Sequence, residues 1–141
     1  MIVLDTNVVS EIERPIPSVP VVQWLANTSV GSTFLCGPVL LEQAYGAERH
    51  FLRSGSRRYI ESLERLRNAY AGRILALDTA AAEMAGRLRA TRESRGRPLS
   101  LGDAMIAAIC LVHGATLATR NIRDFDGLDL KLVNPFEART E

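Results

Sequence analysis

The chain has 141 residues, of which 47% are hydrophobic and 23% are charged, and its formal net charge is +1. This length favours one domain over residues 1–141, the apolar content excludes a disordered chain, and the small net charge excludes nucleic-acid binding driven by total charge. No run reaches the roughly 18 apolar residues of a membrane-spanning helix, and the first residues show no basic leader or cleavage site. We therefore expect a cytoplasmic protein with no membrane segment.

Short apolar runs alternate with helical patterns along the chain. The first run ends at Asp5, and it predicts a buried strand followed by a turn. The predicted strands are 1–4, 33–36, 73–77, 116–118 and 130–133. The predicted helices are 21–26, 38–52, 56–70, 79–95 and 101–112. This alternation indicates an α/β protein whose parallel sheet is covered on both faces.

Polar residues at helix starts and two cysteines fit a structural interpretation. Ser100, three residues before Asp103, resembles a capping pair at the start of the last predicted helix. Asp78 precedes another predicted helix and is typical of an N-cap. Cys36 and Cys110 lie in apolar runs with no further Cys or His at ligand spacing. We therefore interpret both cysteines as core residues rather than zinc ligands.

Three acidic residues stand alone in their surroundings. Asp5, Glu42 and Asp103 are each the only charged residue in an apolar or small-residue segment of at least ten residues. Acidic side chains are rarely buried unless paired, and no Arg or Lys lies at helical spacing in these segments. Because the carboxyl ends of parallel strands meet at one edge of a sheet, we expect the three carboxylates to converge there.

Converging carboxylates require a counter-charge. Two carboxylates about 4 Å apart repel by about 4 kcal/mol at an effective dielectric constant of about 20, and a divalent cation removes that cost. Since oxygen is the only ligand type nearby, Mg²⁺ or Mn²⁺ is favoured over zinc. Simpler interpretations stay open: Asp5 as a turn residue, Asp103 as a capping acid and Glu42 on a solvated helix face.

A fourth contributor is expected after the predicted strand 116–118. Asn121 is suited to orienting substrate or water, and Asp124 is suited to supplying a further carboxylate. Either residue is equally consistent with capping the short turn that follows.

Arginines are concentrated in the central helical pair and in the segment before the Asp103 helix. The second group includes Arg92, Arg95 and Arg97. The planar guanidinium group bonds two phosphate oxygens at once, so these residues are candidates for binding RNA. Interleaved glutamates make a solvated helix face the simpler interpretation.

Taken together, these residues resemble the PIN domain. The resemblance rests on four motifs: IVLDTN at 2–7, LE at 41–42, DAMIAA at 103–108, and ATRN at 118–121 with Asp124 beyond it. Each motif is short, but their order and spacing extend over nearly the whole chain. More closely, the chain resembles the VapC and FitB toxins of bacterial toxin–antitoxin pairs.

The resemblance implies a three-layer α/β/α sandwich with a five-stranded parallel sheet and a metal-dependent endoribonuclease that leaves a 5′-phosphate and a 3′-hydroxyl. The residues that match the family's catalytic and metal-binding positions are Asp5, Glu42, Asp103, Asn121 and Asp124. The family's fourth acid falls on Asn121 here, so Asn121, Asp124 or both complete the site.

The resemblance also implies further roles and partners. Thr6 and Thr119 match the hydroxyl residues near the metal, which orient the substrate. The implied partners are an RNA substrate, a second copy of the chain and a cognate antitoxin whose tail fills the active-site groove. A higher toxin–antitoxin assembly on DNA is implied as well.

Two other functions are consistent with clustered acids. A receiver-like signalling module binds Mg²⁺, but it needs adjacent acids after the first strand and a lysine after a late strand. Asp5 stands alone, and the only lysine, Lys131, begins a predicted strand. A non-catalytic binding domain is the second alternative, and it would apply if the acids do not meet.

Overall fold

Five short parallel strands form the centre of the protein. The structure, a computed structural model, describes residues 1–137, so the end of the predicted 1–141 domain lies outside the described residues. The strands are β1 (Ile2–Leu4), β2 (Thr33–Cys36), β3 (Ile74–Leu75), β4 (Thr116–Ala118) and β5 (Leu132–Val133). They lie in the order β3-β2-β1-β4-β5, and every neighbouring pair is parallel.

Six helices connect the strands. They are α1 (Thr6–Ile12), α2 (Val19–Ala26), α3 (Gly37–Ser54), α4 (Arg58–Ala69), α5 (Thr79–Ser94) and α6 (Leu101–His113). Two 3₁₀ turns, Val30–Ser32 and Ile122–Phe125, precede β2 and β5. The predicted α/β/α fold with a five-stranded parallel sheet is confirmed. In the part of the chain that the structure describes, no helix combines the length and the apolar character needed to cross a membrane.

Helix α1 has no counterpart among the predicted elements. A turn was expected after Asp5, whereas the chain enters a helix directly at Thr6. Asp5 is the N-cap of this helix, because its Oδ1 accepts a hydrogen bond of 2.8 Å from the Thr6 N–H. Val8 and Val9 are buried against the core. The expected turn was wrong because seven residues are too few to produce a helical hydrophobic period.

Two elements have other bounds than predicted: β3 is shorter, and α2 begins earlier. The predicted strand 73–77 is reduced to β3, which pairs with β2 alone at the edge of the sheet. Arg73, just before β3, accepts a backbone hydrogen bond of 2.9 Å from the Leu35 N–H. Its side chain donates to the carbonyls of Val30 and Thr33, both at 2.6 Å. Helix α2 begins at Val19, before its expected start, because Pro20 is tolerated in a first turn.

The predicted caps are confirmed. Ser100 Oγ accepts a hydrogen bond of 3.1 Å from the Asp103 N–H at the start of α6. Asp78 Oδ1 accepts one of 2.9 Å from the Ala81 N–H at the start of α5. Helix α6 is therefore anchored at the turn that carries Asp103.

Helix α6 packs in the hydrophobic core together with the sheet. Residues 106–110 of α6 are all buried, and they belong to the same hydrophobic cluster as residues of β1 and β4. Cys36 and Cys110 are both free and buried, as predicted. Burial raises the pKa of the Cys36 thiol to about 12, so this group behaves as a small apolar residue.

Candidate active site

Asp5 is the most firmly held of the predicted acids. It follows β1, is only 5% exposed, and its Oδ2 accepts a hydrogen bond of 2.8 Å from the Thr119 hydroxyl. Thr119 follows β4, the neighbour of β1 in the sheet, so the topology brings the two residues together. Burial raises the pKa of Asp5 above its usual value despite these hydrogen bonds, and the charges of Glu42 and Asp124 raise it further.

A hydrogen-bond network links the ends of β1 and β4. Asn7 Nδ2 lies 3.5 Å from Asp5 Oδ2 and donates to Thr119 Oγ1 at 3.4 Å. Asn7 Oδ1 accepts from the Arg120 N–H at 3.1 Å, and Thr119 Oγ1 accepts from the Asn121 N–H at 3.0 Å. Sequence reasoning assigned no role in the site to Asn7. The available signal was a polar residue two positions after the acid at the strand end.

Asp103 occupies the first turn of α6 and is partly buried. Burial raises the pKa of its carboxyl group, and the charge of Asp5 raises it further. Asp124 and Glu42 contribute in the same direction, whereas a hydrogen bond with Ser100 opposes the shift. Asp103 is therefore part of a capped helix turn and at the same time faces the other acids.

Glu42 reaches the same place from α3. A Cβ atom added to Gly102 would lie 3.3 Å from Glu42 Oε1, so the carboxylate contacts the first turn of α6. The missing side chain at position 102 leaves room for Glu42 beside Asp103. Glu42 itself is exposed, in contrast to Asp5.

Asp124 and Asn121 lie at the exposed rim after β4. The Asp124 charge raises the pKa of both Asp5 and Asp103, which places it in the electrostatic environment of the site. Asn121 contributes its backbone N–H to Thr119. The charges of Glu42 and Asp124 therefore act on both Asp5 and Asp103 at the carboxyl end of the sheet.

The available ligands suit a hard divalent cation. They are carboxylate oxygens, and the neighbouring Thr6 Oγ1 is buried without a hydrogen-bond partner among residues 1–137. Over the same range, no three His, Cys, Asp or Glu side chains already form a metal-binding group. Mutual repulsion between the carboxylates favours side-chain positions that keep them apart. Ligand type and charge therefore fit Mg²⁺ or Mn²⁺, and coordination would draw the side chains together.

Comparisons with known proteins agree with this geometry. Residues 2–130 match the PIN domain. The chain belongs to the PIN domain family. The toxin FitB of Neisseria gonorrhoeae is 33% identical over 139 residues, which cover 96% of this chain and 99% of that protein.

Further relatives cover the chain to a similar extent. The VapC ribonuclease Y4jK of Sinorhizobium fredii is 33% identical over 140 residues, covering 97% of this chain and 99% of its own length. The structure of FitAB bound to an IR36 DNA fragment superposes on this PIN domain with a TM-score of 0.87 at 31% identity, covering 99% of both chains. The predicted resemblance to PIN toxins of the VapC and FitB type is therefore confirmed.

A groove of about 570 Å³ opens beside Glu42 in this PIN domain. Glu42 lies in its wall, and two arginines held against aromatic rings also line it. The Arg120 guanidinium lies 4.7 Å from the centre of the Phe136 ring, and the Arg58 guanidinium lies 5.4 Å from that of Tyr59. The wall also includes Glu11, Glu13 and Arg14, so the groove combines three arginines and three glutamates with flat apolar surfaces.

The three arginines predicted to contact RNA differ in their surroundings. Arg95 and Arg97 are exposed, whereas Arg92 is only 6% exposed. The Arg92 guanidinium donates to the backbone carbonyls of Arg97, Asp124 and Asp126. Because this guanidinium group is almost completely buried and all three of its nitrogens bond the backbone, it is not accessible to a phosphate. We therefore retain the RNA-binding prediction for Arg95 and Arg97 alone. All three residues give the same signal in the sequence.

Proposed function

We propose that this PIN domain is the toxin of a toxin–antitoxin pair and that it hydrolyses RNA phosphodiester bonds with a bound Mg²⁺ or Mn²⁺. The observation that carries the proposal is the gathering of acids at the carboxyl end of the sheet: Asp5 follows β1, and Glu42 contacts the turn of α6 that carries Asp103. The charges of Glu42 and Asp124 raise the pKa of both Asp5 and Asp103. The names of the relatives, a toxin and a ribonuclease, support the substrate class.

Asp5, Glu42 and Asp103 are the residues that would hold the cation, and Asp124 or Asn121 completes the site. A bound Mg²⁺ or Mn²⁺ supplies a Lewis acid that activates water and offsets negative charge on the scissile phosphate. Bound metal favours the deprotonated carboxylates, so the raised pKa values of Asp5 and Asp103 make cation affinity fall as the pH is lowered.

The neighbouring residues fix the orientation of Asp5. The Thr6 N–H and the Thr119 hydroxyl each bond one oxygen of its carboxylate, which leaves each oxygen with a further lone pair for a cation. Asn7 Nδ2 also donates to Thr119 Oγ1. The Thr6 and Thr119 hydroxyls are both buried, so we assign these residues to orienting the acid ligands, through which they act on the substrate.

The proposed partners follow from the groove and from the relatives. Arg58 and Arg120 suit the phosphates of an RNA substrate, because stacking on a ring leaves the edge of the guanidinium group free for hydrogen bonds. FitAB was solved bound to DNA, which supports a cognate antitoxin and an assembly on DNA for this chain. We expect a cytoplasmic homodimer.

The test is cleavage of RNA by the purified protein. We expect products with a 5′-phosphate and a 3′-hydroxyl in Mn²⁺ or Mg²⁺, with no cleavage in EDTA and recovery when the cation is restored. Asp103→Asn should retain the fold and lose cleavage. Glu64→Gln, an acid-to-amide change at an exposed position of α4, is the matched control and should cleave RNA as the wild type does. Cleavage that persists in EDTA or in Asp103→Asn would contradict the proposal.

A further inference from the structure

Arg92 lies in the last turn of α5 and is almost completely buried. Its Nε donates to the Arg97 carbonyl at 2.9 Å, its Nη1 to the Asp126 carbonyl at 3.2 Å and its Nη2 to the Asp124 carbonyl at 3.3 Å. Every nitrogen of the guanidinium group is thus bonded to the backbone. Across the described residues, no carboxylate forms an ion pair with it.

These three carbonyls belong to two segments that lead to site acids. Arg97 lies in the connection between α5 and α6, three residues before the Ser100 cap and six before Asp103. The other two carbonyls belong to the 3₁₀ turn that carries Asp124 and to the residue that ends it. A rigid guanidinium fork bonded to both segments fixes their separation.

The neighbouring arginines make no comparable bridge within residues 1–137. Arg89 donates from Nε to the Leu99 carbonyl alone, at 3.4 Å. Arg95 is exposed, and over the same range its side chain forms no hydrogen bond. The two other site acids, Asp5 and Glu42, lie on segments that Arg92 does not contact through hydrogen bonds. The connection made by Arg92 is therefore selective for Asp103 and Asp124.

We propose that Arg92 is a positioning residue that sets the spacing between Asp103 and Asp124, and through that spacing the affinity of the site for its divalent cation. Arg92 acts through backbone carbonyls and does not touch the cation or the RNA. This inference rests on the proposed function. Residues that orient metal ligands typically change metal affinity by about 10-fold to 100-fold when they are replaced.

The experiment measures Mn²⁺ binding calorimetrically in the full chain without RNA. Arg92→Met should weaken binding by about 10-fold or more. Arg92→Lys should also weaken it, because one ammonium group cannot span three carbonyls, but by a smaller factor because the ammonium group can still donate to one of them. Arg87→Met is the matched control, since Arg87 is an exposed residue of the same helix. Its Mn²⁺ affinity should equal that of the wild type.

Two double variants separate positioning from general loosening of the fold. In an Asp124→Asn background, Arg92→Met should change Mn²⁺ affinity by about threefold or less, because one of the two positioned carboxylates is already lost. In a Glu42→Gln background, Arg92→Met should retain its full effect, since Glu42 is held by α3. A merely structural role would give equal factors in the two backgrounds.

The outcomes distinguish this inference from the proposed function. If wild type binds no Mn²⁺, the proposed function falls and this inference falls with it. If wild type binds Mn²⁺ and folded Arg92→Met and Arg92→Lys bind it equally well, only the positioning role is overturned. Arg92→Lys keeps the charge and most of the side-chain length, so it carries the comparison if Arg92→Met does not fold. Failure of both variants to fold would assign Arg92 a purely structural role.

Discussion

The two sides of the candidate site differ in how their acids are held. Asp5 is buried, and both of its carboxylate oxygens accept hydrogen bonds from residues at the ends of neighbouring strands. Glu42 and Asp124 are exposed, one on a helix and the other on a 3₁₀ turn. Asp103 lies between these extremes, being partly buried on a capped helix turn.

The two sides of the site are positioned by different parts of the fold. On the side of Asp5, the parallel pairing of β1 with β4 places Asp5 next to Thr119 independently of the loop conformations. The exposed side depends on how α3 and the 3₁₀ turn pack, and thus on contacts such as those of Glu42 with Gly102. We therefore expect substitutions on the Asp5 side to have the larger and less adjustable effects.

The largest contrast is expected between Asp5→Asn and Asp124→Asn. Loss of a preorganised charged group costs about 10²-fold to 10³-fold in rate, and we expect Asp5→Asn to reach this range. Asp124→Asn should cost about tenfold, because an exposed carboxylate is screened by solvent and its position is less fixed. The measurement is kcat/KM for RNA cleavage at saturating Mn²⁺. Equal losses in the two variants would show that burial does not distinguish the two sides.

Thr119→Val tests whether the Asp5 side is organised by its hydrogen bonds. The change removes the hydroxyl that donates to Asp5 and accepts from Asn7 and Asn121. We expect unfolding free energy to fall by about 1–3 kcal/mol and Mn²⁺ affinity to fall by about tenfold. Denaturant titration and calorimetry measure the two effects.

Thr116→Val, a change of the same shape at the opposite end of β4, is the control for Thr119→Val. It should leave Mn²⁺ affinity unaltered, because Thr116 lies away from the carboxyl end of the strand. If Thr119→Val also left Mn²⁺ affinity unaltered, the hydrogen bond to Asp5 would have no part in positioning that acid.

Three of the predicted site acids share one property, which is isolation in an apolar segment, whereas Asp124 was predicted from its place after the strand 116–118. Asp5, Glu42 and Asp103 were predicted for that reason, and strand alternation was sufficient to predict the sheet that gathers them. Asn7 was missed because its partners, Thr119 and Arg120, are more than a hundred residues away.

Arg92 shows the limit of local patterns more directly. It lies among other arginines on α5, and spacing along the helix does not reveal which of them is covered. The 3₁₀ turn formed by residues 122–125 covers this one, more than thirty residues further along the chain. Burial of a charged side chain is decided by such long-range packing, so it required the structure.

Because the pKa of Asp103 is raised, Asp103→Asn should also change the free energy of unfolding of the metal-free protein, and we expect this change to be smaller than that of Thr119→Val. The unfolded carboxyl group titrates near 3.8 and the folded one at a higher pH, so the folded state binds more protons between these values. Stability is therefore lost as the pH rises through this window. Asp103→Asn should be more stable than wild type above the window, by less than about 1 kcal/mol because the group is only partly buried.

Denaturant unfolding in EDTA across a pH series checks this sign. The difference between Asp103→Asn and wild type should vanish at the acid end of the series. Asp78→Asn is the control, since asparagine also serves as an N-cap and Asp78 is exposed. A destabilised Asp103→Asn at neutral pH would mean that the Ser100 capping turn, and not repulsion among the acids, dominates at this position.

The smallest expected effect concerns the contribution of the exposed residues Arg95 and Arg97 to RNA binding. Arg95→Gln combined with Arg97→Gln should reduce the slope of log K against log salt by about 0.7 for each phosphate of single-stranded RNA that these arginines neutralise. Binding is measured by fluorescence anisotropy in the cleavage-deficient Asp5→Asn background. Arg65→Gln with Arg67→Gln, an equal reduction of charge at exposed positions of α4, controls for net charge. An equal change of slope in both double variants would mean that Arg95 and Arg97 act only through total charge and bind no phosphate. The RNA-binding surface would then not extend beyond the groove lined by Arg58 and Arg120.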